Sequence, residues 1–199
     1  FAEQIKINLA TAALSHNNLG GLGPDPTAPL NMRYFQAGTG NGKPFDVVID
    51  NVTEYSAENG AKNNGRSGLF ARINVDYGSQ TKFRFRVVDS QTGEPVVLPS
   101  AHLKIYNLDT QYGEKWSHCN EMIGMDSADQ DFEATWGEDI KKAHSGPKTW
   151  FLSTGPGNVR DVPESPDGLT EEQAARSVEI HFGSLSKFEL VVAYASATF

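Results

Sequence analysis

Apolar and polar residues alternate with a period of two in several segments of the chain. The clearest lie in residues 81–88, with Phe83, Phe85 and Val87 on one side, and in Val178–Phe182 and 188–194, in which every second side chain is aliphatic or aromatic. Because successive side chains of a strand point to opposite faces, this period predicts half-buried β-strands. In this first segment Lys82, Arg84 and Arg86 occupy the other side, which favours an antiparallel strand with one solvated face.

Further strands are predicted where apolar and β-branched residues cluster between turn signals. These predicted strands are 3–9, 31–37, 45–55, 69–75, 95–98, 102–108 and 149–153. The turn Asp76-Tyr77-Gly78-Ser79 predicts that strands 69–75 and 81–88 form a hairpin. Polar or weakly patterned stretches predict long loops at 17–43, 56–68 and 120–145.

Helical signals are short. Thr170-Glu171-Glu172-Gln173 matches a capping box and predicts one turn of helix that ends near Arg176. Residues 138–144 are a second short helical candidate. About eight strands without long helices between them predict an all-β fold, an antiparallel β-sandwich of the jelly-roll type. Because we find no repeat and no second core pattern, we predict a single domain over residues 1–199.

The composition limits the range of partners. The 199 residues are 38% hydrophobic, which is enough for a core, and the net charge is −8. Clusters of Lys and Arg that could neutralise phosphates do not occur, so nucleic acid is not an expected partner. No apolar run approaches the roughly 20 residues of a membrane-spanning helix, so we expect no membrane insertion. The first residue is Phe1, from which we predict a processed N-terminus and a secreted or organelle-lumen protein.

Common catalytic and nucleotide-binding motifs are absent from the sequence. The glycines of residues 38–43 and the following Pro44 fit neither a P-loop nor a dinucleotide fingerprint. Ser67 lies outside a G-x-S-x-G elbow. The five histidines lack metal-binding spacing and Cys119 is the single cysteine, so we predict neither a zinc site nor a disulfide. This pattern favours binding over catalysis.

Carboxylates offer a different chemistry. Asp129-x-Asp131-x-Glu133 is similar to the start of a calcium loop, but Ala134 replaces the glycine that an EF-hand needs. The alternative interpretation is a solvated acidic face.

A second candidate cation site lies at the end of predicted strand 102–108. Asn107 and Asp109 supply oxygens there, and Glu114 follows a turn glycine. Such a set suits Ca²⁺, which accepts six to eight oxygen ligands in a flexible geometry. Asp89 closes a neighbouring strand and could reach the same end. The alternative is an Asx-turn in which Asp109 caps its own loop.

Several short segments occur in a characteristic order. They are Met32-Arg33-Tyr34, Phe45-Asp46-Val47-Val48, residues 68–74, Asp89 with Thr92-Gly93, Tyr106-Asn107-Leu108-Asp109, Leu169-Thr170 and Arg176-Ser177-Val178. This order resembles an uncharacterised group of secreted β-rich domains of microalgae and other protists, and it spans most of the chain. The resemblance implies a β-rich fold and export, without an assigned activity. The usual pattern of the group is Phe-Asp-Leu-Asp, so Asn107 stands where the first Asp is expected.

We therefore predict a non-catalytic binding or assembly module that acts outside the cytosol. It would recognise a glycan, a protein or further copies of itself, with Ca²⁺ as a structural ion. An alternative is a carbohydrate-active hydrolase or lyase on the same sandwich, because sequence cannot reveal two carboxylates across a cleft. A third possibility is a lumenal accessory subunit of an algal membrane complex. The aromatic residues that could stack on sugar rings are Tyr55, Tyr77, Tyr112, Trp116, Trp136 and Trp150.

Overall fold

The computed structural model describes residues 5, 7–40, 42–57, 63–111, 119–157 and 162–196. Within these ranges the chain forms fourteen strands, a 3₁₀ turn at Leu19–Gly21 and a short helix, α1, at Glu171–Ala175. The strands are β1 (Ala13–Asn17), β2 (Met32–Gly40), β3 (Lys43–Asn51), β4 (Gly65–Ser67), β5 (Phe70–Arg72), β6 (Gln80–Asp89), β7 (Ala101–Ile105), β8 (Thr110–Gln111), β9 (Cys119–Asp126), β10 (Phe132–Trp136), β11 (Ile140–Ser145), β12 (Lys148–Ser153), β13 (Val178–Phe182) and β14 (Lys187–Ala195). No helix in these ranges has the length and apolar character needed to cross a membrane.

The strands form a large sheet, a three-stranded sheet and a small ribbon. The large sheet has the order β1-β2-β3-β6-β14-β9-β12-β11, and β8 is added beside β9. The three-stranded sheet has the order β10-β13-β7, and β4 pairs with β5. All of these strand pairs are antiparallel. The predicted all-β antiparallel class is confirmed, and the jelly-roll connectivity stays a prediction.

An apolar core lies between the two larger sheets. The large sheet contributes Ile49, Phe83 and Leu190, and the three-stranded sheet contributes Val178 and Ile180. These five side chains are almost fully removed from solvent. The alternation predicted for β6, β13 and β14 is confirmed, because their alternate apolar residues face this core. The opposite face of the three-stranded sheet is consequently left to polar side chains.

Residues 120–145 are not a long loop, and the helix predicted at 138–144 is wrong. The segment contains β9, β10 and β11. In β9, Ile123 and Met125 face the core between the sheets, whereas Met122 belongs to a second apolar cluster on the other face of the large sheet. A strand that is buried on both faces loses its period of two. This is why the pattern of β9 was misleading.

Three other strand predictions also differ from the structure. Residues 95–98 make isolated bridges and no strand. None of the described residues within 3–9 lies in a strand; the side-chain oxygen of Asn8 instead accepts hydrogen bonds from the backbone N–H groups of Ala10 and Thr11, which turns the chain. The hairpin predicted from 69–75 is wrong, because β5 pairs with β4 while β6 lies between β3 and β14.

The predicted capping box is confirmed at α1. Thr170 Oγ1 accepts a hydrogen bond from the Gln173 backbone at 3.2 Å, and the Thr170 backbone donates to Gln173 Oε1 at 3.0 Å. The helix ends at Ala175. Arg176 follows the helix directly and is buried.

The second apolar cluster packs around the indole of Trp150. Its buried members are Met122, Trp150, Leu152, Val191 and Ala193. A Cβ atom added to Gly124 would lie 2.7–2.9 Å from three ring atoms of Trp150. Because this distance is below van der Waals contact, the indole can occupy its position only when residue 124 has no side chain.

We expect Gly124→Ala to destabilise the fold by about 1–3 kcal/mol, because the Trp150 ring must move out of a packed position. The midpoint of urea unfolding measures the loss. Gly183→Ala is the matched control, since a Cβ there meets no described atom within 4 Å. Equal midpoints for the two variants would contradict the packing described here.

Candidate functional site

The connection after β7 carries Asp109 to one end of the core, where its backbone is bound on both sides. The Asp109 N–H donates to Glu121 Oε2 at 3.0 Å. Its carbonyl accepts from the Glu121 N–H at 2.9 Å and from Ser153 Oγ at 2.6 Å. These hydrogen bonds hold the connection between β7 and β8 against β9 and β12. The side chain of Asp109 is consequently only 13% exposed.

Arg176 brings a positive charge to this end of the core. Its Nη1 lies 3.8 Å from Asp109 Oδ1, and its Nε lies 3.2 Å from Asp139 Oδ2. Arg176 follows α1 and Asp139 lies in the turn between β10 and β11, so the ion pairs join three separate connections. Burial raises the pKa of Asp109; the Arg176 charge opposes this rise and the Asp139 charge adds to it.

Glu121 adds a second carboxyl beside Asp109. The residue keeps some surface exposure, but protein atoms surround its carboxyl densely. Burial raises the pKa of Glu121 to about 8, the hydrogen bond from the Asp109 backbone opposes the rise, and the Asp109 charge adds to it. At neutral pH Glu121 is therefore held mainly as the neutral acid, which lowers the negative charge that Arg176 must balance.

Of the calcium ligands predicted from sequence, Asn107 and Asp109 lie in the connection between β7 and β8. Asn107 and Asp109 are two residues apart, and Asn107 has a left-handed backbone with a φ of 59°. Among the residues that the structure describes, no hydrogen-bond donor reaches the buried Oδ1 atom of either. The Arg176 guanidinium is nevertheless close to the Asp109 carboxylate. Glu114 lies outside the described residues.

Asp89 lies far from this group. The Gln80 end of β6 is on the same side of the large sheet as the start of β9, where Asp109 is bound. Asp89 closes the other end, about 30 Å along the strand. Its carboxylate accepts hydrogen bonds at 2.9 Å from two backbone N–H groups of the turn that follows. The structure therefore does not bring Asp89 to Asn107 and Asp109.

A second group of functional side chains lies on the outer face of the three-stranded sheet. The apolar residues of β13 are buried, so Glu179 and His181, which alternate with them, point away from the core. His181 stands directly opposite His102 of β7 on one side and Glu133 of β10 on the other. Strand pairing thus places four chemically active side chains next to one another.

Three of these residues converge closely, and we call them the His–Glu cluster: His102, Glu179 and His181. Glu179 Oε1 lies 3.5 Å from His181 Nε2 and 3.9 Å from His102 Nδ1. The two imidazole rings meet edge to face with their centroids 4.3 Å apart. Lys104 Nζ lies 3.7 Å from the other oxygen of Glu179. We had predicted no histidine site, because no sequence spacing reports the register between β7 and β13.

An open depression of about 270 Å³ adjoins the His–Glu cluster. The residues that line it are Asp131, Phe132, Glu133, His181, Phe182 and Gly183. It shares His181 with the cluster, and two carboxylates of the predicted acidic loop, Asp131 and Glu133, form part of its wall. The acidic segment therefore contributes to a surface that is continuous with the outer face of the sheet.

The aromatic residues considered for sugar stacking are distributed differently. Tyr55 and Trp150 are buried, the ring of Tyr77 packs at a tilt against Tyr194, and Tyr112 and Trp116 lie outside the described residues. Trp136, at the end of β10, is 42% exposed, and Lys142 Nζ lies 5.4 Å from the centre of its ring. Among the described members of this set, Trp136 is the most exposed to solvent.

Comparisons with protein-family models and with curated protein sequences found no match. Among solved structures, similar chains include the adhesin domain of PrgB from Enterococcus faecalis bound to DNA, with a TM-score of 0.47, 14% identity, and 82% of this chain and 60% of that chain covered. The N-terminal domain of the Streptococcus gordonii adhesin Sgo0707 has a TM-score of 0.49 and 10% identity, with 98% of this chain and 45% of that chain covered. The chain therefore spans about half of the length of these structures.

The raised pKa of Glu121 predicts that stability depends on pH. Between the ordinary value of 4.5 and the folded value of about 8, the folded state holds more protons than the unfolded state. The stabilisation from this group is complete below the lower value and is lost as the pH rises through the higher one. Glu121→Gln can accept the same bond from the Asp109 N–H and does not titrate.

We therefore expect the free energy of unfolding of Glu121→Gln, relative to wild type, to increase from about pH 5 to about pH 8, with a slope of at most about 1.4 kcal/mol per pH unit. Urea unfolding at a series of pH values measures the difference. Glu94→Gln, which changes an exposed carboxyl, should follow the wild type. Parallel pH profiles for wild type and Glu121→Gln would show that Glu121 is not perturbed.

Proposed function

We propose that this chain is a non-catalytic binding module that acts outside the cytosol through the outer face of its three-stranded sheet. One observation carries the proposal: imidazole, ammonium and carboxylate groups share a solvent-facing surface beside the 270 Å³ depression. The other face of that sheet is locked into the core. A rigid scaffold holds such groups in fixed positions, which favours recognition. The resemblance to secreted protist domains supports the location.

The chemistry of this face favours a polar partner. His102, Lys104, Glu133, Glu179 and His181 offer hydrogen-bond donors and acceptors of both charge signs. Glycan hydroxyls and polar protein surfaces match such a set. The net charge of −8 and the carboxylates on this face disfavour a phosphate backbone.

We expect Glu133→Lys to weaken binding to the partner at least about tenfold, because it reverses a charge between the depression and the His–Glu cluster. The measurement is retention on immobilised polysaccharides, on cell-surface proteins and on duplex DNA, followed by titration of the retained partner. Glu94→Lys makes the same charge change in the turn after β6 and should bind as wild type.

Retention on a glycan or protein that Glu133→Lys leaves unchanged would move the binding surface elsewhere. Retention on DNA alone would overturn the choice of partner. Failure to bind any glycan or protein, with no self-association in light scattering, would contradict the binding module itself.

A second candidate function, glycan cleavage on the same fold, is favoured by Glu121. A carboxyl whose pKa is raised to about 8 beside a second carboxyl is suited to general acid catalysis in glycoside hydrolysis. The enclosure of the pair opposes this function, because Asp109 is largely buried beneath Gly157 and next to Arg176. Release of reducing ends or unsaturated sugars by wild type but not by Glu121→Gln would establish the enzyme.

Ca²⁺ as a structural ion at Asn107 and Asp109 is also part of the proposal. Two buried side-chain oxygens that receive no hydrogen bond from the described residues are suitable ligands, and Glu114 would provide a third. The Arg176 charge beside Asp109 opposes the binding of a cation. Ca²⁺ binding at this site therefore requires that attraction by the oxygen ligands exceed the repulsion from Arg176.

We expect millimolar Ca²⁺ to raise the melting temperature relative to chelator. The stabilisation would be about 2.7 kcal/mol at a hundredfold excess of Ca²⁺ over its Kd. Asp109→Ala should abolish the shift. Asp89→Ala should keep it, because Asp89 lies at the far end of β6. Equal melting temperatures of the wild type in Ca²⁺ and in chelator would remove the calcium site.

A further inference from the structure

We propose that the His–Glu cluster binds a divalent transition-metal ion of the Zn²⁺ type. Nitrogen atoms of His102 and His181 and an oxygen of Glu179 all lie within 4.8 Å of one another. Two imidazoles and one carboxylate are ligands that Zn²⁺, Co²⁺ and Ni²⁺ accept, whereas Ca²⁺ requires oxygen ligands. This site is therefore separate in place and in chemistry from the calcium site proposed at Asp109.

The distances are close to those of a metal centre. A tetrahedral ion with bonds of 2.0–2.1 Å separates its ligand atoms by about 3.4 Å. Glu179 Oε1 lies 3.5 Å from His181 Nε2 and 3.9 Å from His102 Nδ1, so these two separations are nearly correct. The His102 side chain is 61% exposed, so solvent surrounds most of it and leaves room for it to turn toward the ion. Side-chain rotation can therefore complete the site on a fixed sheet.

Lys104 orients the carboxylate of the cluster. Its Nζ lies 3.7 Å from Glu179 Oε2, so the ammonium is near one oxygen while the other oxygen faces both imidazoles. Partners of this kind commonly orient the ligands of a metal. Lys104 thus acts as a positioning residue.

Three protein ligands leave a fourth coordination position open. Glu133 stands directly opposite His181 on β10. The Cβ atoms of such pairs are about 4.5–5.5 Å apart, so the Glu133 carboxylate can reach an ion bound at the cluster. Water is the alternative fourth ligand. With Glu133 as the fourth ligand, protein atoms close the site. With water as the fourth ligand, the ion remains open to solvent.

The metal site can be tested independently of the proposed binding module. Its ligands come from β7 and β13, whose pairing is fixed by the core and not by a partner. Because His102, Glu179 and His181 point away from the core, their substitution should leave the fold intact. Zinc binding can therefore be measured on the free protein.

The experiment is titration of the purified chain with ZnSO₄ by calorimetry at pH 7.5, together with the visible absorption of a Co²⁺-loaded sample. We expect one ion per chain and strong Co²⁺ bands of a low-coordination site. His102→Ala and His181→Ala should each weaken Zn²⁺ binding at least about tenfold and remove the Co²⁺ bands. Affinity should fall at pH 5.5, since protons compete for the ligands. Excess Ca²⁺ should not displace Zn²⁺.

His144→Ala is the matched control. His144 belongs to β11 of the large sheet, where its Nδ1 lies 3.3 Å from the Thr149 hydroxyl. This variant should bind Zn²⁺ as wild type, and the metal-free melting temperatures of all variants should agree. Unchanged affinity in His181→Ala, or an equal loss in His144→Ala, would show that surface histidines in general take up the ion and would overturn the proposal.

Discussion

The packing of β13 against the large sheet is the constraint on which the rest of the site depends. Val178, Ile180 and Phe182 fill the core, and they do so only in one register. A slip of one residue would turn the apolar side chains outward and carry Glu179 and His181 into the core. Burying such polar groups without partners is costly. The same alternation therefore builds the core and presents the His–Glu cluster.

The end of the core near Asp109 is organised by electrostatics in a confined space. Arg176 joins connections that are distant in sequence, and Glu121 lies beside the pair mainly as a neutral acid. Removing one member of a buried ion pair costs more than the pair contributes, because the remaining charge loses its partner. Exposed pairs on the large sheet, such as Arg84 with Glu189, contribute at most about 1 kcal/mol. The buried pair of Arg176 with Asp109 therefore has the larger effect on how the loops are fixed.

Local patterns predicted the strands whose core-facing residues are apolar at every second position, including β14, although Val191 and Ala193 bury part of its other face as well. β6, β13, β14 and the cap at Thr170 follow from alternation and from a capping box, both of which are short-range signals. β9 was missed because both of its faces are buried and the alternation disappears. The hairpin at 69–75 was wrong because the partners of β6 come from distant parts of the chain. Which strands pair depends on the whole fold, so the sequence of a short segment does not indicate its partner.

In the candidate site, too, features set by local sequence were predictable and features set by the whole fold were not. Asn107 and Asp109 were chosen as ligands from sequence because polar residues close to the end of a strand are easy to notice, and their role as ligands stays a prediction. The approach of Arg176 to Asp109 was not predictable, since α1 and β7 are far apart in sequence. The placement of Asp89 depends on the direction in which β6 runs, and the His–Glu cluster depends on how β7 and β13 align. Each of these facts requires a sheet order that the sequence pattern does not contain.

The central position of β14 has a consequence for folding. It joins the group β1-β2-β3-β6 to the group β9-β12-β11, although it follows all of those strands along the chain. During synthesis, the edges of β6 and β9 that pair with β14 in the folded protein remain unpaired until residues 187–195 leave the ribosome. Exposed edges of this kind recruit other strands, and non-local pairing is slow. The nascent chain is therefore most vulnerable to aggregation just before β14 inserts and closes the large sheet.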